Sequence, residues 1–150
     1  MSLYQLLLTI HIFAAILGIG PGFIMTFIAN HSRTLSELKH AYYLRKKIHL
    51  FIMIGGTTLL LTGLLMGLLN PSLFKQGWYL VSLTLYLTTL VLGPLLLSPS
   101  LKPIKKLLEE HEGEKIPANY NIHAKKLFLY ERITNLIILT IIALMITKPF

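Results

Sequence analysis

The sequence predicts an all-α polytopic membrane protein, a four-transmembrane-helix antiparallel bundle with two basic loops on one side. Three observations predict it. Hydrophobic residues fill 54% of the 150 positions and charged ones only 13%, against roughly 25% charged in soluble domains. The apolar residues gather into four runs, about 4–29, 48–69, 78–98 and 127–147, each near the ~20 residues that carry a helix across a ~30 Å hydrocarbon core. The cations are also sorted by loop. Arg33, Lys39, Arg45, Lys46 and Lys47 lie between runs one and two, and Lys102, Lys105, Lys106, Lys115, Lys125, Lys126 and Arg132 between run three and the start of run four. The other side keeps only Lys75 and Lys148. The positive-inside rule then puts both basic loops in the cytoplasm and both termini outside.

The four runs are expected to be helical, because backbone exposed to lipid has to satisfy its own hydrogen bonds. Run one has no Lys or Arg before it. It therefore lacks the charged start of a removable signal peptide and reads as a retained span. Gly18, Gly20, Pro21 and Gly22 predict a kink or loosened turn in its second half. Loop one holds "TLSELKHAYYLRKK", with Thr34 and Glu37 at capping-box spacing, so a short amphipathic helix is expected there. "NPS" at 70–72 ends span two, and Trp78 and Tyr79 open span three where an aromatic belt would sit. Gly93-Pro94 and "SPSLKP" are expected to close span three. The stretch from Ile104 to Lys126 reads as a charged helix and loop. The whole of 1–150 reads as one integral membrane domain.

The net charge of +8 is explained by topology and by anionic lipid on the cytoplasmic side, so nucleic acid is not an expected partner. Cys is absent, which excludes disulfides and thiolate sites. There is no H-E-x-x-H, Walker loop or G-x-S-x-G. The only acids are Glu37, Glu109, Glu110, Glu112, Glu114 and Glu131, too few within the spans for an ion-driven pump. Neither a hydrolase nor such a transporter is expected.

The polar residues inside the runs carry what functional signal remains. His11 stands in an uncharged stretch, roughly 10 Å below the outer boundary at 1.5 Å per residue. Ionisable residues at such depth are functional by default. A neutral imidazole there can ligate haem or a metal, or bond a hydroxyl such as Ser82, Thr84 or Tyr86 of span three. Met66 lies at a matching depth for a second axial ligand. Gly18 and Gly22 in span one, and Gly63 and Gly67 in span two, form two G-x-x-x-G faces. Such faces either pack helices closely or leave room for a flat cofactor. His49 sits roughly 15–20 Å deeper than His11 and cannot share a haem with it. It groups instead with Glu131, Arg132 and Asn135 as a second polar cluster, with Arg45, Ser98 and His123 close by: a salt bridge with snorkelling side chains, or a site for an anion, a metal or a propionate-bearing ligand. His31, His40 and His111 read as surface residues.

The stretches "LLLTIHIFAAILGIGPGF" and "GWYLVSLTLYLTTLVLGPLL" resemble small bacterial membrane proteins of the uncharacterised integral membrane family called domain of unknown function 2269. More distantly, they are similar to HemJ-type protoporphyrinogen oxidases and to CopD-type membrane domains. The resemblance implies a bacterial cytoplasmic membrane location and haem b bound at His11. Span three departs from the HemJ-type pattern: the histidine and lysine of those enzymes are replaced by Leu80, Val81 and Ser82, which speaks against oxidase chemistry. Three function classes follow: a haem- or metal-binding redox or biosynthetic protein, a non-enzymatic bundle forming a homo-oligomer or an accessory subunit of a larger membrane complex, and a small transporter.

Overall fold

A computed structural model describes all of residues 1–150. The chain is helical apart from its ends and short connections: α1 Leu3–Asn30, α2 Leu35–Leu69, a 3-10 turn Pro71–Lys75, α3 Gly77–Leu92, a π-helical turn Gly93–Leu97, α4 Ser98–Glu110 and α5 Tyr120–Thr147. Four rods are long and apolar enough to cross a membrane, Leu3–Asn30, Leu35–Leu69, Gly77–Glu110 and Tyr120–Thr147. Their outer faces are apolar. Phe13, Ile16, Phe51 and Leu95 are all more than half exposed, an arrangement that suits lipid and not water.

Two local expectations are corrected. The loop-one helix is not separate: Thr34 and Glu37 do form the capping box, but it starts one continuous helix that runs through span two to Leu69. Nothing between Lys47 and Ile48 breaks the chain, so one rod serves both environments. Pro21 lies inside α1, which continues helical on both sides of it; proline is tolerated in membrane helices because neighbouring groups re-satisfy the freed carbonyl. Gly93-Pro94, expected to close span three, does not end its helix. Proline removes an N–H and crowds the carbonyl four residues back. The chain answers by widening one turn, with the Ser98 N–H reaching the Gly93 carbonyl, and α4 continues.

The helices pair as α1 with α2 and as α3 and α4 with α5, and α1 touches α5 between the two pairs. Loops one and three meet at the basic end, where Leu35 N–H donates to the Glu114 carbonyl at 2.8 Å and Lys39 Nζ to the His111 carbonyl at 3.2 Å. Leu35, Leu38, Ile104, Leu108, Tyr120, Ala124 and Leu127 bury one another there. At the opposite end Met66, Leu73, Trp78 and Tyr79 form a second cluster, with Tyr4 and Leu7 against it. Trp78 N–H donates to the Phe150 carbonyl at 3.0 Å, and the Phe150 ring fills the space where a side chain on Gly77 would stand. That contact accounts for a glycine at the start of α3.

Between the two ends the packing depends on missing side chains. A Cβ on Gly55 would lie 2.5 Å from Gly18 Cα, and one on Gly18 would lie 2.8 Å from Gly56 N. Both obstacles are backbone, so α1 and α2 touch main chain to main chain. In lipid no hydrophobic force pulls helices together, and this close approach supplies dispersion contacts instead.

Candidate functional site: two polar centres in the bundle

The register of the α1–α2 pair carries the first centre. His11 lies seven residues before Gly18, and Thr62 seven residues after Gly55. Two helical turns from the glycine contact, the imidazole therefore meets the threonine hydroxyl: His11 Nδ1 and Thr62 Oγ1 are 2.7 Å apart. Thr62 Oγ1 also stands 2.7 Å from the Thr58 carbonyl oxygen. Two oxygens at that distance need a proton between them, and a hydroxyl has only one to give. The hydroxyl proton is thus committed to Thr58, and His11 must donate from Nδ1–H to Thr62. Nε2 is left as a bare lone pair with no partner in the chain, on a half-buried ring. His11 Cε1 rests on Gly63, 3.4 Å from where a Cβ would be.

The sequence offers a hydroxyl for His11 on span three, at Ser82, Thr84 or Tyr86. The partner is on span two, because the glycine contact brings α2 nearer to α1 than any other helix. Thr84 bonds its own helix at Leu80. Tyr86 donates to the Gly56 carbonyl at 2.8 Å, and Tyr79 to the Gly63 carbonyl at 3.0 Å. These are two parallel rungs, seven residues apart on each helix, that tie α3 to α2. Ser82, between them, is fully buried with no partner for its hydroxyl.

The remaining residues of the first centre are placed as follows. Gly18 is occupied by the Gly55–Gly56 backbone, Gly63 by the His11 ring, and Gly67 by the Tyr79 hydroxyl and the Phe74 ring. Gly22 faces the Asn135 side chain and Ile52. Met66 is buried in the cluster with Leu73, Trp78 and Tyr79. No three His, Cys, Asp or Glu side chains converge where a metal ion could be held.

The second centre lies toward the basic end and joins α1, α2 and α5. Arg45 is 2% exposed. Its Nη2 pairs with Glu131 Oε1, its Nη1 donates to the Met25 carbonyl at 2.5 Å, and the Thr26 hydroxyl donates to Glu131 Oε2. The guanidinium also lies over the Tyr42 ring, 5.2 Å from its centroid, and the Tyr42 and Tyr120 hydroxyls are 3.3 Å apart. Both carboxylate oxygens are therefore answered, as a charge at this burial requires. Of the residues that sequence grouping placed with Glu131, Asn135 lies one turn along α5, facing Gly22. His49 and Arg132 stand exposed and make no hydrogen bond. Arg45, which the sequence places beside this cluster together with Ser98 and His123, is the residue that pairs with Glu131. Its signal was a lone acid in span four opposite a basic stretch that turns out to continue span two.

The chain matches the family described as predicted integral membrane protein, domain of unknown function 2269 (DUF2269), over residues 5–149. It belongs to that family and is a multi-pass integral membrane protein. No curated protein and no solved structure matched it, and the wider similarity to HemJ-type and CopD-type proteins finds no support there.

Proposed function

We propose that this protein is a non-enzymatic membrane bundle that works by assembly, as a homo-oligomer or as a subunit of a larger complex, with His11 as its contact. One observation carries this: Thr62 meets the imidazole at Nδ1, and no group of the chain hydrogen-bonds Nε2. At the depth of His11 an unanswered polar group is costly, so a donor or an electrophile from outside the chain is expected to complete it. On this reading the basic end faces the cytoplasm of a bacterium, in contact with anionic lipid.

The same lone pair favours a second reading, haem b or a metal ion. A ligand histidine takes its tautomer from a hydrogen bond at the other nitrogen, and Thr62 supplies one to His11. The glycine faces, however, are filled by the protein's own atoms, so no slot for a macrocycle lies between α1 and α2. A haem would have to sit against the outside of the bundle, with its second ligand from a neighbouring chain and not from Met66.

The test is gentle detergent extraction, with size measured by light scattering and a visible spectrum recorded after haem is supplied. Wild type should run as an oligomer or keep a partner, and His11→Phe should release it while melting near the wild-type temperature. A Soret band lost in His11→Phe would move the conclusion to the haem reading. A colourless monomer in both proteins would sink both.

A further inference from the structure

At the basic end a groove of ≈ 370 Å³ opens between the last turn of α1 and the first turns of α5. Along α5 its wall passes from Asn121 through Lys125 to Phe128, a rise of roughly 10 Å at 1.5 Å per residue. Asn30 and Ser32 face these residues from the end of α1, and Ile116 closes the side formed by the loop before α5. Along α5 the lining thus passes from polar and cationic to apolar toward the membrane, and the loop residues Ile116, Pro117 and Ala118 add an apolar wall. No carboxylate lines it. Asn119 does not cap α5 with its side chain; the Tyr120 N–H donates to the Pro117 carbonyl at 3.0 Å, and the first turn adds the positive end of the helix dipole on the same side.

We propose that this groove binds an anionic phospholipid from the leaflet at the basic end. The headgroup phosphate sits at Lys125 with the amides of Asn121 and Asn30, and the start of an acyl chain lies on Phe128 and Ile116. Charge complementarity selects the occupant: 12 of the 14 cations are at this end, and the ligand must be anionic at one end and apolar at the other. A soluble anion would use only the outer half of the groove. The site is independent of what His11 does.

The experiment is native mass spectrometry of the full chain released from detergent, titrated with phosphatidylglycerol, with phosphatidylcholine and inorganic phosphate as comparison probes. One phosphatidylglycerol should be retained in preference to phosphatidylcholine. Lys125→Glu should weaken it by about fivefold or more, since one cation near an anionic lipid contributes ~1 kcal/mol. Asn121→Trp, which fills the groove from an exposed position, should weaken it too, with circular dichroism confirming the fold. Lys105→Glu, on the exposed face of α4 outside the groove, should bind as wild type does. Equal losses in Lys125→Glu and Lys105→Glu, equal retention of both lipids, or displacement by inorganic phosphate would each overturn the proposal.

Discussion

At the basic end, Arg45 and Glu131 bring opposite charges from two helices into a buried site where every polar atom of the pair but Arg45 Nε is met, with Met25 and Thr26 of a third helix completing it. At the other end, His11 is met on one nitrogen by Thr62 and left open on the other. Both are polar groups embedded in an apolar bundle, and both are positioned by helix contacts made elsewhere. They differ in closure. A closed centre looks inward and fastens helices; a half-closed one has capacity left for something outside the chain. Burial follows the same division. The closed centre borders a water-excluding core of leucines, Ile104 and Tyr120, where apolar burial from water contributes. The stretch that holds His11 relies on glycine contact and hydrogen bonds, as packing within lipid must.

The largest effect that could break this comparison is at Glu131. Glu131→Gln leaves Arg45 buried with its charge uncompensated and should cost about 3–5 kcal/mol, read as a lower melting temperature in detergent. The double change Arg45→Met with Glu131→Leu should recover much of that loss, because neither charge then has to be desolvated. A single variant that melts with the wild type would mean the pair is not a fastening. Next comes the contact that sets the register for His11. Gly55→Ala drives a methyl group into the Gly18 backbone and should cost about 1–3 kcal/mol. Gly20→Ala, where a Cβ would meet nothing within 4 Å, should leave the melting temperature unchanged. The smallest effect on stability should come from Thr62→Val, about 0.6 kcal/mol and at most about 1.7, the measured range for hydrogen bonds between membrane helices. The comparison gains most from that variant. If Thr62 orients His11 for an outside contact, Thr62→Val should release the partner or chromophore nearly as fully as His11→Phe, despite its small cost. Loss in His11→Phe alone would reduce Thr62 to a packing residue.

Much of this architecture was determined by the sequence itself. Four apolar runs of membrane-spanning length leave few alternatives to spanning helices, since no other structure but a closed barrel satisfies backbone groups in lipid. The capping box at Thr34 and Glu37 and the aromatic start of α3 were legible because they are local, as was the isolation of His11 from other charges. What the tertiary structure decided was which residue answers which. Runs of Leu and Ile carry no address for pairing in lipid, where every apolar face is equally at ease, so nothing local tells Thr62 from Ser82 as the partner of His11. The choice rests on Gly18 meeting Gly55, an approach of two backbones that follows from the absence of side chains. Arg45 reads as the end of loop one, near the level of Glu131; the continuity of α2 is what turns it inward into that pair. Two recurring intervals of seven, Tyr79 to Tyr86 and Gly56 to Gly63, did stand in the sequence. They became rungs only once α3 lay against α2, because a hydrogen bond across helices depends on where the helices stand as well as on which residues they carry.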